Sequence, residues 1–370
     1  MELASSVHVI RRRDLTAGVA HRWQDPEAVC ELTPEKRAAL LENPLSRDDS
    51  DPVQLIATYE NVAAGKLDLF TGRIHLGNEV VPTIWSSGYF VPERFRNSLV
   101  AVMLLLKLHG INPTVGACGV SQLALPVIRK LKWIELPLPR YLVILRSHAI
   151  FERYVGKNLL TGVSSRLTDA VLLGQRTIWE ALLGRRLHPL RTEAVARMPP
   201  ELDEQLSSDW NKGQATPHRS AAWLDWLLTH SFGAEDRLRS GLFLVRGPDE
   251  AVVGYFLVKT RFYPVASHRS IPDVTLGSLQ DWMIFDDTQL SLPHLVLLAV
   301  QELARWSPDA VELCLPEGEM DRHLRRWGFP RAGELRLILR TSRDSPLHHE
   351  RFRHAEHWRL RPAEGDNFFS

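Results

Sequence analysis

The sequence is poor in cysteine, poor in net charge and without a long apolar run. Its three cysteines, Cys30, Cys118 and Cys314, are scattered over 370 residues. An odd number at such separations argues against a disulfide framework and fits a reducing compartment. Cys118 lies in an apolar, strand-like run and reads as a small buried residue before it reads as a nucleophile. Lys plus Arg number 45 and Asp plus Glu 44, for a net charge of +1. A general nucleic-acid binder carries a basic excess, so that class is set aside. The longest apolar stretch, Leu99 to Leu108, contains Lys107 and is far too short to span a bilayer. Met1 to Arg13 has no apolar signal core. No membrane insertion and a cytoplasmic location are therefore expected. The late histidines His348, His349, His354 and His357 lack metal-ligand spacing. They are expected in a solvated charged tail, and no metal is expected.

What the sequence does have is one order of elements written twice. Gln54–Tyr59, Leu67–His75 and Val80–Val91 alternate like strands, separated by the turn signals Asn61–Gly65 and Leu76-Gly77-Asn78. Phe95–His109 then shows helical periodicity. A strand (Thr114–Val120), a helix (Ser121–Lys132, with Pro126 in its first turn) and a strand (Tyr141–Arg146) follow. The second half repeats the pattern. It has a hairpin (Leu242–Val245, Val252–Thr260), a strand (Leu279–Phe285), a helix (His294–Trp306), a strand (Val311–Leu315), a helix (Glu319–Trp327) and a last strand (Leu335–Thr341). Trp85 and Trp133 are 48 positions apart, and Trp282 and Phe329 are 47 apart. That agreement predicts two copies of one fold. The expected division is module 1 over 1–147, a helical connector over 148–205, module 2 over 206–342 and a polar tail over 343–370.

A strand meander, a strand, a loop and a helix, then a strand and a helix ending in an aromatic turn, resembles the acyl-CoA N-acyltransferases of the GNAT superfamily. Tyr89-Phe90-Val91-Pro92-Glu93-Arg94-Phe95-Arg96-Asn97-Ser98 is similar to that family's strand end and pyrophosphate loop. Arg129–Trp133 and Arg325–Phe329 are similar to its later helix end. The Trp-Ser pair at Trp85-Ser86 and the tail Asp366 look like tandem members of the FemAB or polysaccharide-associated type. The resemblance implies an α/β (α+β) fold of two tandem modules, each a mixed, mostly antiparallel sheet flanked by helices. It implies acetyl-CoA or another acyl-CoA as co-substrate and an amine, of a small molecule or a sugar, as acceptor.

Carried onto this chain, the resemblance gives Phe90, Val91, Arg94, Arg96, Asn97 and Ser98 as cofactor-binding candidates, because a helix start offers unpaired N–H groups to an anion. Glu93 and Tyr59 are the candidate proton acceptors. Trp85, Ser87, Ser121, Asp281 and Asp366 are the substrate-binding candidates. Trp85 and Ser87 are expected on one face of their strand and Ser86 on the other. The loop departs from the family where glycines are usual: Asn97 and Leu99 stand there instead. Module 2 has Asp286 and Asp287 at the equivalent loop, which would repel a pyrophosphate. Two alternatives stay open. One is a FemAB-like transferase using aminoacyl-tRNA, docking on basic residues such as Arg11–Arg13 or Arg185, Arg186 and Arg191. The other is a non-catalytic binding protein with decayed loops.

Overall fold

In a computed structural model the described residues are 5–17, 23–46, 48–120, 124–148, 159–187, 189–208, 213–230, 238–263, 273–315, 319–327 and 329–364. In chain order the strands are β1 (Ser5–Arg11), β2 (Pro52–Tyr59), β3 (Val62–Leu76), β4 (Glu79–Phe90), β5 (Thr114–Cys118), β6 (Ile134–Ile144), β7 (Arg191–Val195), β8 (Thr216–Pro217), β9 (Arg239–Arg246), β10 (Val252–Tyr263), β11 (Val274–Ile284), β12 (Ala310–Cys314) and β13 (Arg331–Thr341). The helices are α1 (Arg12–Thr16), α2 (Pro34–Glu42), α3 (Val100–Ile111), α4 (Leu125–Lys130), α5 (Leu159–Leu187), α6 (Asp203–Ser208), α7 (Ala221–Thr229), α8 (Leu292–Arg305) and α9 (Glu319–Arg326). Among the described residues no helix is long and apolar enough to cross a membrane.

The chain forms two compact units. Unit 1 is Met1–Pro137, Pro199–Phe232 and Leu335–Ser370, and unit 2 is Leu138–Met198 and Gly233–Glu334. The units are therefore not contiguous stretches, and the division falls inside β6 and β13. The strand Leu335–Thr341, which the sequence pattern places in the second module, pairs antiparallel with β5 in unit 1. Arg140–Ile144, which the pattern places in the first, pairs antiparallel with β12 in unit 2. No local signal distinguishes these partners, because alternation fixes a strand's faces but not its neighbour.

In unit 1, β1 to β4 form an antiparallel meander, and β4 runs parallel to β5 with α3 between them. The apolar run Val100–Ile111 buries Leu104, Leu105 and Leu108 against Leu55, Leu67, Leu69, Ile84 and Val115. Each such burial contributes about 1.5–3 kcal/mol. On the opposite face, Trp85 lies so close to two neighbouring strands that a Cβ at Gly72 or Gly116 would come within 2.5 Å of its ring. Glycine is required at both positions for that packing.

The C-terminal segment is not a solvated tail up to Glu364. Leu347, Phe352, Trp358, Leu360 and Ala363 are buried, and Trp358 Nε1 donates to Phe352 O at 2.9 Å. Glu364, 2% exposed, pairs with the buried Arg219. Sequence reasoning saw polar residues there and missed the apolar ones spaced between them. His348 and His349 accordingly make local hydrogen bonds, to Thr341 and to the Arg351 N–H.

Unit 2 carries β12, β11, β10, β9 and β7 in that order, with β11 and β12 parallel. Its apolar helix α8 buries Leu295 through Val300 and Leu303 against Val253, Phe256, Val258, Val311 and Leu313. The stretch 148–205 holds the long helix α5 followed by the edge strand β7, which the Leu and Arg pattern did not reveal.

Candidate functional site: a cleft between parallel strands in unit 1

The parallel pairing of β4 and β5 covers only Ile84–Ser86 against Val115–Ala117. Past that point the two strands part. A β-bulge is the cause: Asp68 of β3 stands opposite Ser87, but Lys66, two residues away, stands opposite Phe90, three residues along. The extra residue on β4 bends it and frees its edge. Gly88 takes the left-handed conformation within this bulge, at φ +57°. A glycine inside a strand pattern is the local signal for such a feature.

The parting strands open a cavity of about 140 Å³. Ser86, Ser87, Gly88 and Tyr89 of β4 line it, facing Ala117 and Cys118 of β5, with Leu105 of α3 and Ile128 of α4. The Ser86 hydroxyl donates to Gly116 O at 3.1 Å, closing the inner end. Tyr89 OH donates to Ala101 O at 3.0 Å and ties the bulge to the first turn of α3. Burial pushes the Tyr89 phenol up to about 12, so it stays a neutral donor.

Ser86 and Ser87 both line the cavity, whereas Trp85 packs in the opposite-face core and borders a separate cavity of about 20 Å³ with Trp223 and Glu364. Of the candidates taken from the sequence, Ser87 alone lies on the larger cavity. Phe90 ends β4 beyond the bulge and is 41% exposed, and Val91 follows it outside the strand. Glu93 begins a short 3-10 turn (Glu93–Phe95) and is exposed. Tyr59, at the end of β2, sets its ring 6.0 Å from Phe95. Neither Glu93 nor Tyr59 is among the described residues lining the cavity. Asp281 belongs to unit 2, where it is buried and accepts from the Trp282 N–H at 2.7 Å. Ser121 and Asp366 lie outside the described residues. Sequence reasoning did not single out Gly88 or Leu105, and gave Tyr89 only as the first residue of the quoted loop motif.

The loop into α3 accounts for its missing glycines. None of Glu93 through Val100 has a positive φ, so Asn97 and Leu99 need no glycine. The chain instead winds through the 3-10 turn directly into α3. Leu99 is 67% exposed and is not packed across the helix start. Ser98 Oγ accepts from the Val100 N–H at 3.3 Å, and the following first-turn amides have no helical acceptor by geometry. Arg94 is committed to Glu27 at 2.8 Å and stacks over Phe95. Arg96 is exposed and, among the described residues, makes a long contact, 3.5 Å, to Val91 O. A helix start with an exposed guanidinium beside it suits an anion.

The fold has counterparts among solved structures. Saccharomyces cerevisiae N-myristoyltransferase with bound myristoyl-CoA is similar over 100% of this chain and 84% of its own, with TM-score 0.56 and 12% identity. A GCN5-related N-acetyltransferase from Anabaena variabilis is similar over 90% of this chain and 72% of its own, with TM-score 0.52 and 13% identity. The fold is that of the GNAT N-acyltransferases. No family profile matches the chain, and no curated protein matches it in sequence. At 12–13% identity the likeness establishes the GNAT fold and nothing finer.

Unit 2 differs at the matching loop. Asp286 accepts from the Thr288 N–H and hydroxyl and from Gln289, and these donors hold its carboxyl below the usual range. A fixed negative charge thus stands ahead of α8, where unit 1 has Arg96 ahead of α3.

Proposed function

We propose that the protein is an acyl-CoA-dependent N-acyltransferase whose donor site is the unit 1 cavity. The observation that carries this reading is the cavity itself: it opens where β4 leaves β5, beside a helix start with an exposed arginine. A pantetheine arm laid along the freed edge of β4 would pair with backbone groups that β5 no longer satisfies. The pyrophosphate would meet the first turn of α3 and Arg96, with Asn97 and Ser98 alongside. The acyl chain would enter the space among Leu105, Cys118 and Ile128. An acceptor amine then attacks the thioester carbonyl, the C–N bond forms, the C–S bond breaks and the thiol leaves with a proton. Glu93 and Tyr59 remain the candidates to take the amine's proton. The acidic loop of unit 2 supports one donor site per chain. One similar structure is an N-myristoyltransferase with bound myristoyl-CoA and another is named an N-acetyltransferase, which supports the reaction class; the acceptor is an amine of unspecified chemistry.

The test is release of free thiol from acetyl-CoA and longer acyl-CoAs in the presence of a panel of primary amines, with wild type and Arg96→Ala. Amine-dependent thiol release that weakens about tenfold or more in KM for Arg96→Ala is the expected result, since a phosphate contact of this type is worth roughly 1.5–3 kcal/mol. Thiol release indifferent to Arg96 would place the donor elsewhere.

A further inference from the structure

Behind the bulge lies a buried charge cluster that the reading above does not use. The Asp68 side chain, on β3, has no solvent exposure, and Lys36 of α2 reaches it with Nζ 2.5 Å from Oδ2. Gln54 of β2 donates its amide nitrogen to Oδ1 at 2.9 Å. Gln54 Oε1 is buried and receives no hydrogen bond among the described residues. An ion pair taken out of water costs several kcal/mol per charge, which its own attraction seldom exceeds.

The position of the cluster gives it a chemical use. Asp68 is the cross-strand partner of Ser87, and the next residue, Gly88, forms cavity wall. A Cβ at Gly88 would stand 2.5 Å from Asp68 Oδ2 and 2.8 Å from Lys36 Nζ. One residue without a side chain therefore separates an amine and a carboxylate from the cavity. Aminolysis of a thioester needs those two groups, a nitrogen nucleophile and an acceptor for its proton.

We propose that Lys36 is an acyl acceptor built into the chain, acylated on Nζ from an acyl-CoA in the unit 1 cavity with Asp68 as proton acceptor. The inference rests on the donor-site reading. Asp68 takes one proton from the Lys36 ammonium. The nitrogen lone pair attacks the thioester carbonyl, the C–N bond forms and the C–S bond breaks. The departing thiolate takes the second proton from nitrogen, and Asp68 returns its proton to solvent. The products are an Nε-acyl-lysine and free CoA.

The experiment uses the full chain with acetyl-CoA and with octanoyl-CoA, followed by digestion and mass mapping. Acylation of Lys36 is compared with that of Lys107 and Lys132, which are exposed. Lys36 is expected to gain the acyl mass at least ~10-fold faster than either, the low end of what a positioned base supplies. A non-reactive CoA thioether is expected to suppress labelling at Lys36 and leave Lys107 unchanged, a comparison that needs no variant. Asp68→Asn is expected to cut the Lys36 rate by a similar factor while a CoA-induced rise in melting temperature persists. Equal labelling of the three lysines, or labelling of Lys36 that the thioether does not suppress, overturns the proposal. A melting-temperature rise without Lys36 acylation sinks this inference alone. No rise with either thioester sinks the donor-site reading and this inference with it.

Discussion

Gly88→Ala tests the bulge and the buried pair together. Gly88 has φ +57°, and a left-handed alanine costs roughly 1–2 kcal/mol. Its Cβ would also fall within 3 Å of both Asp68 Oδ2 and Lys36 Nζ. Backbone and a fully buried carboxylate give little room, so the ion pair must open. Separating a buried pair costs about 3–5 kcal/mol because a charge is left uncompensated. Gly77→Ala is the control: its φ is +61°, and nothing lies within 4 Å of its Cβ position. The control carries the backbone cost alone. Urea denaturation of both variants should therefore differ by about 3 kcal/mol, with Gly88→Ala the weaker. For a unit of this size that is a gap of roughly 6–12 °C in Tm. Equal losses in the two variants would mean that the cluster relaxes freely and that Gly88 is no more than a turn glycine.

Other expectations follow from the same contacts. Lys36→Met should destabilise more than Asp68→Asn at pH 7, by about 1–2 kcal/mol, since the first leaves a buried carboxylate unpaired and the second leaves a lysine that can reach water; equal losses in denaturant would argue against a charged pair. Tyr89→Phe should cost about 1 kcal/mol by freeing Ala101 O, read by thermal melting. Glu364→Gln should cost about 3–5 kcal/mol although it lies near the chain end, because Arg219 is 3% exposed; an unchanged Tm would return this segment to the status of a tail. His75 is buried against His218, at 2.9 Å, and burial, aided by the Arg73 charge, lowers its pKa from 6.5 to about 4. With the folded value below the unfolded one, its contribution is complete above pH 6.5 and is lost as pH falls through 4. His75→Gln should flatten the Tm profile across that window.

The fold was legible because periodicity exposes faces. The alternation of Gln54–Tyr59, Leu67–His75 and Val80–Val91 and the apolar spacing of Phe95–His109 marked β2 to β4 and α3, whereas β1 and β7 were not read from the pattern. Pairing between distant strands was not legible: Leu335–Thr341 carries no mark that directs it to β5 rather than to a neighbour in its own module. At the site, the stretch Pro92-Glu93-Arg94 stands just past the end of β4, where the sequence placed the loop. The cavity, however, depends on a bulge, and the bulge was visible only as Gly88 between Ser87 and Tyr89. Trp85, which lies before the bulge, packs against Gly72 and Gly116 and does not line the cavity. Asp68 and Lys36 are 32 residues apart in sequence and carry no motif, so only the folded chain brings them together.

The most direct measurement is a thermal-shift titration with CoA, acetyl-CoA and octanoyl-CoA on wild type and Ala117→Phe, a substitution that fills the cavity from β5. A ligand bound only by the folded state at about 100 times its Kd adds roughly 2.7 kcal/mol, a rise of some 5–11 °C for this unit. The account predicts that rise in wild type and its loss in Ala117→Phe, with both proteins folded in the absence of ligand. No rise with any thioester, or an equal rise in both proteins, would contradict the donor site in unit 1.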